Sequence, residues 1–371
     1  MEGRCWSRAP SGCQPGRVVS AVRYCRSGSV RVAFSVVGSG PVLLLDPGWV
    51  THLRAQWTVD SFREFVSGLA ARFTVVRFDK PGCGLSDRDV TGLPDAAGPS
   101  DVADGLDVAG GFDAQVDAAL AVVDALPARR FSVFGASQGG QVAMALAARH
   151  PERVDSLVLF GTCADGGELA PPRIRRAVLD LVSAHWGLGS KLLADLFVPG
   201  GDPAQVEAFS RLQRASASAE VAAALLGVYY GTDVSGLLPL IRARTAVLHR
   251  EGDVATSFDL GRRVAAGIPG AVLVPLAGQD HLFHRGDARS VLRATLDFLL
   301  PAGAATVRLT PRELSVSRLV VAGLTNQAIA AELGIAARTV DTHVENVRAK
   351  LGVRSRAQIA AWVVANAPPD P

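Results

Sequence analysis

The sequence predicts an α/β domain with a mostly parallel sheet, followed by a small domain made only of helices. Two patterns lead to this prediction. Between residues 21 and 300, short apolar runs alternate with longer helical stretches, which is typical of a sheet with helices on both faces. After residue 305 the strand-like runs stop, and residues 310–366 divide into four helical pieces. A chain of 371 residues also suits two domains, because a domain typically has about 150 residues.

The predicted strands of the first domain are runs of apolar, often β-branched residues. Because almost every residue in them is apolar, both faces of each strand are expected to be buried, as in parallel sheets. These strands are Val42–Leu45, Thr74–Phe78, Phe131–Phe134, Ser156–Phe160, Thr245–Leu248 and Ala271–Pro275. The main helices predicted between and after them are Ser61–Ala71, Phe112–Leu126, Gln141–Arg149 and Ala288–Leu299.

The segment from about residue 163 to residue 241 interrupts this alternation. It contains turns rich in Gly and Pro but no strand-like run, so we predict an all-helical lid over the sheet. Residues 1–20 are rich in Gly, Pro, Ser and Arg and are predicted to form a flexible extension. Residues 301–308 are predicted to be a linker between an α/β domain at 21–300 and a helical domain at 309–367.

Composition excludes two classes of protein. Hydrophobic residues make up 49% of the chain and charged residues 20%, as in a folded globular protein rather than a disordered one. The longest stretch without charge, Phe131–Ala148, contains several Ser, Gln and Gly residues, whereas a membrane helix needs about 20 predominantly apolar residues. We therefore expect a soluble protein without a membrane partner.

The net charge of +3 is unevenly divided along the chain. Residues 32–304 carry 24 basic and 29 acidic residues, whereas residues 305–367 carry eight basic and four acidic residues. A mildly acidic body joined to a basic C-terminal domain indicates nucleic acid as one partner.

The five cysteines are odd in number and include no C-x-x-C pair, which argues against both a disulfide framework and a cysteine zinc site. The N-terminus lacks the apolar run and the small-residue cleavage site of a secretory signal. We expect a reduced, cytoplasmic protein, and the sequence predicts neither a metal site nor a cofactor.

A candidate nucleophile lies in the segment Gly135–Gly139, which reads G-A-S-Q-G and matches G-x-S-x-G. The motif follows the predicted strand Phe131–Phe134 and precedes the helix beginning near Gln141, so Ser137 would occupy a tight strand-to-helix turn. Its neighbours must be small, because a Cβ there would collide with nearby backbone. Ser137 is therefore predicted to be a catalytic nucleophile.

Two further residues complete a catalytic triad in the order Ser, acid, His. Asp253 and His281 each follow a predicted strand, so both should reach the sheet edge that carries Ser137. His281 would accept the serine proton, and Asp253 would orient the imidazole and stabilise its charged form. His284 is an alternative base, since it lies only three residues beyond His281.

The oxyanion formed in such a reaction needs backbone N–H donors. We assign them to Gln138, which follows the nucleophile, and to Trp49, in the loop after the first predicted strand. In other enzymes, losing one such donor costs about 3–4 kcal/mol of transition-state stabilisation.

These residues, with Phe78–Asp87 reading F-D-K-P-G-C-G-L-S-D, resemble the α/β-hydrolase superfamily over roughly residues 22–300. Serine at position 137 makes the serine hydrolase branch the nearest likeness, which implies carboxylic ester hydrolysis. One difference is Pro47-Gly48, where many relatives have His-Gly. The resemblance leaves open whether the triad turns over a substrate or only binds a ligand, because receptors with this fold exist.

The C-terminal domain has the features of a helix-turn-helix. Thr310–Glu313 is a strong helix start, with Thr as the cap, Pro at the first helical position and Glu completing a capping box. Further along, Ala330 lets two helices approach, Gly334 can adopt the positive φ of the turn, and Val340 can anchor the second helix. That second helix, residues 337–351, would enter the major groove. The residues predicted to contact DNA are Arg338, Thr339, Thr342, His343, Asn346, Lys350 and Arg354.

Residues 309–365 resemble a LuxR-type helix-turn-helix, with the most specific matches at Leu309–Glu313, Gly323–Asn326 and Lys350–Val353. The resemblance implies double-stranded DNA as a partner. It also implies a homodimer formed through the last helix, which would present Ile359, Trp362 and Val363.

Two acidic residues depart from the pattern of these domains. Asp341 and Glu345 occupy positions that face the groove, where relatives often have lysine or other residues. Their charge leaves the base preference open and would weaken the attraction of phosphate.

The sequence therefore predicts a LuxR-type transcriptional regulator whose α/β-hydrolase domain senses a small ester, lactone or amide-like ligand and carries a triad suited to its hydrolysis. Two alternatives stay open. One is an active esterase with an accessory helix-turn-helix tail, and the other is a catalytically silent receptor. The ligand, the operator and the choice between activation and repression are not fixed by the sequence.

Overall fold

The computed structural model describes residues 21–88, 111–300, 309–351, 353 and 355–366. The predicted extension at residues 1–20 and the predicted linker at 301–308 lie outside these residues. The chain divides into two compact units, residues 1–292 and residues 293–371. The division falls within the helix Ala288–Leu299, earlier than the predicted domain end at residue 300.

Within the described residues, the first unit contains an eight-stranded sheet. The strands are β1 (Val22–Ser27), β2 (Val30–Val37), β3 (Val42–Asp46), β4 (Thr74–Phe78), β5 (Phe131–Ala136), β6 (Val154–Phe160), β7 (Arg244–Arg250) and β8 (Val272–Leu276). Their order across the sheet is β1-β2-β4-β3-β5-β6-β7-β8. The pairs β1–β2 and β2–β4 are antiparallel and all the others are parallel. The predicted mostly parallel sheet is therefore confirmed, and the loops after β3, β5, β7 and β8 open on one edge.

The strands β1 and β2, which the apolar runs did not predict, form a hairpin at the edge of the sheet. Gly28, at φ 57°, makes the turn between them. No residue of β1 is fully buried, and the strand carries Arg23 and Arg26. Its composition is therefore close to that of a loop, because an edge strand faces solvent on one side.

The described helices between residues 53 and 299 agree with the predicted alternation of strands and helices, and the last of them crosses the division between the units. They are α1 (Leu53–Trp57), α2 (Asp60–Ala70), α3 (Gly111–Asp124), α4 (Gln138–Arg149), α5 (Pro172–Ala184), α6 (Trp186–Phe197), α7 (Pro203–Ser216), α8 (Ala219–Gly231), α9 (Phe258–Gly267) and α10 (Ala288–Leu299). The helix α4 begins three residues earlier than predicted, because the low helix propensity of Gly139 and Gly140 is outweighed by tertiary packing.

The apolar core of the first unit lies between the sheet and the helices that cover it. Val133 in β5, Met144 in α4 and Leu159 in β6 belong to one buried cluster, each at most 1% exposed. A second cluster joins Cys163 and Trp49 to the helices α5–α8. The segment predicted as a lid, residues 163–241, consists of these four helices with two short 3-10 turns and one isolated bridge, Asp165 to Asp233.

From residue 309 onwards, the described part of the second unit has four helices around a small core, as predicted. They are α11 (Pro311–Val321), α12 (Asn326–Leu333), α13 (Ala337–Leu351) and α14 (Arg356–Asn366). The capping box of Thr310 and Glu313 is formed, and Gly334 ends α12 in the left-handed conformation at φ 62°. The buried core residues include Val316, Ile329 and Val340, each 0% exposed.

Candidate active site and candidate DNA-binding helix

Ser137 lies in a strained turn between β5 and α4. At φ 52° and ψ −127° it is the one non-glycine residue with positive φ in the described part of the chain. The turn is possible because its neighbours lack side chains: a Cβ on Gly135 would lie 2.6 Å from the Cβ of Ala143, and one on Gly139 would lie 2.5 Å from the carbonyl oxygen of Asp46. The elbow predicted from the sequence is therefore built as a strand-to-helix turn.

The structure brings the three predicted triad residues into contact. The Nε2 atom of His281 lies 2.8 Å from the Oγ atom of Ser137, and its Nδ1 atom lies 2.8 Å from Oδ2 of Asp253. With the ring proton on Nδ1, His281 donates to Asp253 and accepts from the Ser137 hydroxyl. All three are buried, with exposed fractions of 8% for Ser137, 4% for His281 and 5% for Asp253. The arrangement can transfer a proton from the serine to the imidazole.

Asp253 is held by its own loop. Its Oδ1 atom accepts hydrogen bonds from the backbone N–H groups of Ala255 and Thr256, at 2.9 and 3.1 Å. Burial by itself raises the pKa of the Asp253 carboxyl, but the charge of His281, its hydrogen bond and the Thr256 N–H outweigh burial and hold the pKa below its ordinary value. Asp253 is therefore an anion at neutral pH.

The loop that carries His281 is attached to the lid. The backbone N–H of His281 donates to the carbonyl oxygen of Phe197, the last residue of α6, at 3.2 Å. The rings of the same two residues lie 5.1 Å apart between centroids. The base and the end of this lid helix therefore share two contacts.

The alternative base, His284, is not in contact with the nucleophile. Its Nδ1 atom is 3.0 Å from the hydroxyl of Ser61, and its ring packs against Phe62 and Phe283. Burial first, and the nearby charges of Arg285 and Arg250 second, lower the pKa of His284 to about 3. His284 is therefore a neutral group that lines the cavity in front of Ser137.

The two predicted oxyanion donors come from different segments of the chain. Trp49 lines the same cavity as Ser137, and Gln138 is the first residue of α4. Within the described residues, no acceptor is bound to the backbone N–H of Trp49 or Gln138. Both N–H groups are thus free for an oxyanion, and their role stays a prediction.

Sequence reasoning missed a buried ion pair under the elbow. The Nζ atom of Lys80 lies 2.9 Å from Oδ2 of Asp46, and the side chains are 0% and 2% exposed. Lys80 also donates to the side-chain oxygens of Gln138 and Gln115, at 2.6 and 3.1 Å. Gln138 in turn donates to Gln115 at 2.8 Å. This network fixes the ends of β3 and β4 to the first turn of α4, and the only sequence signal for it was a charged residue directly after an apolar strand.

A second missed group is His249, which stands beside the acid of the triad. Its ring is 0% exposed and 3.9 Å from Oδ2 of Asp253, and its Nε2 atom lies 2.8 Å from the carbonyl oxygen of Thr256. Burial lowers its pKa, so it is uncharged at neutral pH. His249 therefore supports the turn that presents Asp253.

A cavity opens in front of Ser137 and His281, with about 600 Å³ of empty space including its mouth. Its described lining is mostly apolar and contains no Lys, Arg, Asp or Glu. The aromatic members are Trp49, Phe62, Phe197, Phe209 and Phe283. Of the aromatic lid residues, Phe197 and Phe209 line the cavity, whereas Trp186, Tyr229 and Tyr230 pack within the lid cluster.

The predicted DNA-contacting side chains lie mostly on the open face of α13. Those exposed to solvent are Arg338, Thr339, Thr342, Asn346 and Lys350, and His343 is half-buried. The opposite face of the helix carries Val340, Val344 and Val347, which are buried in the core. Arg354, also predicted to contact DNA, lies outside the described residues.

Two charged residues of α13 have partners within the second unit. The ammonium of Lys350 lies 2.6 Å from Glu313, so this lysine holds α13 to α11 rather than standing free for phosphate. Asp341 accepts a hydrogen bond from the side chain of Asn326 at 2.7 Å, which joins α13 to the start of α12. The carboxylate of Asp341 thus stabilises the packing of α13 against α12.

The residues expected at a dimer interface are in the core instead. Ile359 and Val363 of α14 are 0% and 5% exposed, and Trp362 packs against the same cluster. The periodicity of the apolar residues identified the inner face of α14, and the sequence could not separate that face from an outer one.

No helix among the described residues is long and apolar enough to cross a membrane.

Comparison with known families agrees with both units. Residues 41–181 match the family described as alpha/beta hydrolase fold, and residues 307–363 match the bacterial regulatory proteins of the luxR family. Both predicted resemblances are therefore confirmed: the chain joins an α/β-hydrolase-fold domain to a LuxR-type helix-turn-helix.

Individual relatives resemble one part of the chain or the other. The nitrate/nitrite response regulator protein NarL of Escherichia coli strain K12 is 30% identical over 130 residues, which cover 32% of this chain and 57% of NarL. The chain thus spans less than two thirds of that regulator. The pimeloyl-[acyl-carrier protein] methyl ester esterase of Chromobacterium violaceum is 27% identical over 272 residues, covering 71% of this chain and 96% of the esterase.

Solved structures of hydrolases share the fold of the first unit. The crystal structure of a hydrolase from Pseudomonas aeruginosa PA01 superposes with a TM-score of 0.61 at 25% identity, covering 76% of this chain and 99% of the hydrolase.

Proposed function

We propose that this protein is a DNA-binding transcriptional regulator whose hydrolase domain binds and cleaves a small ester, lactone or amide-like molecule. The observation that carries the proposal is the pair of 2.8 Å contacts from His281 to Ser137 and to Asp253. Residues that only build a fold have no need to hold a serine at positive φ, because that conformation is strained.

The geometry supports acyl transfer through Ser137. Its oxygen would attack the carbonyl carbon while its proton passes to Nε2 of His281, and Asp253 would stabilise the imidazolium. The oxyanion would be bound by the N–H groups of Gln138 and Trp49. When the C–O bond of the ester breaks, His281 returns the proton to the leaving alcohol. Water then attacks the acyl-enzyme by the same route and releases the acid.

The lining of the cavity supports an uncharged, largely apolar substrate. The described lining contains no Lys, Arg, Asp or Glu, and burial keeps His284 neutral above about pH 3. Desolvating an ionised group of a ligand in such a cavity without a partner is costly. Besides Ser137 and His281, the described polar side chains of the lining are Gln56, Gln213, Ser216 and His284, of which Gln213 and Ser216 are only 1% exposed.

Turnover of p-nitrophenyl butyrate by wild type and Ser137→Ala tests the catalytic proposal. We expect the variant to lose about 10⁶-fold in kcat, because removing the nucleophile of a triad has that effect in a serine protease. Ser156→Ala is a matched control, since Ser156 is a buried serine at the amino end of the neighbouring strand β6. Equal rates for wild type and Ser137→Ala would exclude catalysis by Ser137 and favour a catalytically silent receptor.

Helix α13 supports the DNA-binding part of the proposal. Its exposed residues include Arg338 at the amino end, where side chains of a recognition helix reach base edges. In gel shifts with the promoter region of its own gene, Arg338→Ala should weaken binding by about 10- to 100-fold. Arg312→Ala, which removes an exposed arginine of α11 that bonds to the Leu333 carbonyl, is the control. Wild-type binding should also weaken steeply with salt. Absence of any shift at low salt and micromolar protein would contradict DNA binding.

We further propose that occupancy of the cavity changes DNA affinity. Linkage requires the effect to be reciprocal, so DNA must change ligand affinity by the same factor. Ser137→Ala is suited to this test because it would retain an ester without cleaving it. Identical operator affinity with and without saturating ester in that variant would separate the two activities and favour an esterase with an accessory tail.

The homodimer stays a proposal, with a different face of α14 from the one predicted. Ala357, Ala361 and Val364 are exposed and recur at the spacing of one helical face, and Val364 is 73% exposed. Val364→Glu should convert a dimer into a monomer in sedimentation equilibrium, whereas Val321→Glu, on another exposed valine of the unit, should not. A wild-type monomer at all concentrations, with and without DNA, would contradict the homodimer.

A further inference from the structure

Arg250 is a cation enclosed at the end of β7, close to the loop that carries His281. The residue is 1% exposed, and it is among the largest fully buried side chains of the described chain. Its guanidinium lies over the ring of Phe160, 5.4 Å from the centroid. No carboxylate of the described residues forms an ion pair with it. A buried charge is unfavourable unless hydrogen bonds compensate for the lost water, so the buried guanidinium of Arg250 needs acceptors within the protein.

Those partners are three backbone carbonyls of a single loop. One guanidinium nitrogen donates to the carbonyl oxygens of Asp280 and Leu282, at 2.5 and 3.0 Å. The other terminal nitrogen donates to the carbonyl oxygen of Arg285 at 2.5 Å. Asp280 and Leu282 are the residues directly before and after His281, so Arg250 binds the backbone on both sides of the base.

We infer that Arg250 is a positioning residue for His281: its guanidinium holds the peptide groups around the imidazole at a fixed distance from the strand β7. The planar fork of arginine presents five N–H donors in fixed directions, which a lysine cannot reproduce. A rigid strand is also a better support than a loop, because a base must be held within a fraction of an ångström of its productive position. Without Arg250, the bonds that still join the loop of His281 to the segment around the end of β7 would include the Gly252 N–H, which donates to Gly278 at 3.0 Å, and the contact of the imidazole with Asp253 at 2.8 Å.

The inference rests on the proposed hydrolysis, and it predicts a specific pattern of kinetic defects. Arg250 does not line the cavity, so ligand binding should be preserved. A displacement of about 1 Å in a catalytic group can cost about 100-fold in rate. We therefore expect Arg250→Ala to lower kcat for p-nitrophenyl butyrate about 100-fold with KM changed by less than about twofold. Arg250→Lys should recover little, because one ammonium cannot bond all three carbonyls.

Chemical rescue separates positioning from general damage to the fold. Millimolar guanidinium chloride should raise kcat of Arg250→Ala about tenfold by occupying the space that the side chain leaves, and should not affect wild type. Arg153→Ala is the matched control: Arg153 also lies over a phenylalanine ring, that of Phe131 at 5.7 Å, and also donates to a backbone carbonyl. It stands next to the amino end of β6, away from the triad, and should keep wild-type kinetics.

The outcomes decide between the inference and the function on which it rests. Full kcat in folded Arg250→Ala or Arg250→Lys overturns the inference, and so does a loss that guanidinium leaves unchanged. If Arg250→Ala does not fold, Arg250→Lys with the same readouts decides. A wild type that neither turns over the ester nor reacts at Ser137 with a fluorophosphonate probe, measured by mass spectrometry, refutes the hydrolysis instead.

Discussion

Two lysine–carboxylate pairs show how differently the two units use the same chemistry. In the first unit, Lys80 and Asp46 lie 2.9 Å apart with side chains 0% and 2% exposed. In the second unit, Lys350 and Glu313 lie 2.6 Å apart, and their side chains are 40% and 5% exposed. The first pair joins segments under the nucleophile and is completed by two buried amides, whereas the second joins two helices and leaves its lysine open to solvent.

The two pairs differ in exposure to solvent, and the candidate sites of the two units differ in the same way. Breaking a fully buried pair is costly because the remaining charge has no solvent around it. Breaking a pair with one exposed partner costs less, because that partner gains little from the interaction in water. The candidate active site depends on buried groups drawn from distant parts of the chain: Ser137 and His281 are 144 residues apart. The candidate DNA surface depends on exposed groups of one helix.

The largest effect is expected in the triad, whose three residues lie far apart in the sequence. Asp253→Asn should lower kcat for p-nitrophenyl butyrate about 10⁴-fold, because the amide favours the wrong tautomer of His281. The fold should survive, since an asparagine oxygen can still accept from the N–H groups that hold Oδ1. Glu251→Gln removes an exposed carboxylate two residues away and should not alter the rate. A rate for Asp253→Asn close to that of wild type would mean that Asp253 does not orient the base.

The next largest effect is expected at the buried pair. Lys80→Met should cost about 3–5 kcal/mol of unfolding free energy, because Asp46 is left as an unpaired buried group. Replacing both partners, as in Lys80→Met with Asp46→Leu, should restore much of that stability. Hydrogen exchange of the amides in β3–β5 measures the effect in this unit alone. Equal exchange in wild type and Lys80→Met would show that the pair is not the source of stability.

A smaller effect is expected from pH at His284. The folded protein holds this imidazole neutral down to about pH 3, while the unfolded chain binds a proton below about pH 6.5. Stability is therefore fully present above pH 6.5 and is lost as the pH falls toward 3, by about 2 kcal/mol between pH 7 and pH 5. His284→Gln should lose about that much less than wild type over this interval, by urea unfolding. Between pH 7 and pH 9 the unfolding free energies of the two proteins should change equally. If both proteins also lost the same stability between pH 7 and pH 5, His284 would not be a neutral buried group.

The smallest effect is expected at the half-exposed pair of the second unit. Lys350→Met should cost about 1–2 kcal/mol, because the buried Glu313 carboxylate loses one partner but still accepts the hydrogen bond from the Thr310 N–H. Hydrogen exchange in α11 and α13 provides the measurement. A loss as large as that of Lys80→Met would erase the contrast between the two units.

The sequence predicted the parts of the fold that local patterns determine. Apolar runs identified the six parallel strands β3–β8, and the serine elbow, the acid and the histidine followed from strand ends that a parallel sheet gathers at one edge. Burial of charge was not predictable, because Lys80 is stabilised by Asp46, Gln115 and Gln138, which lie far away in the sequence. Arg250 was hidden for the same reason, since its partners are backbone carbonyls. The edge strand β1 was missed because solvent exposure removes its apolar signature.

The hydrogen bond from the backbone N–H of His281 to Phe197 links the catalytic base to a helix of the lid. A movement of α6 that displaced Phe197 would pull on the peptide group of His281, so the alignment of the base depends on where the end of this helix lies. A ligand that shifted this helix would thereby also change how readily Ser137 gives up its proton.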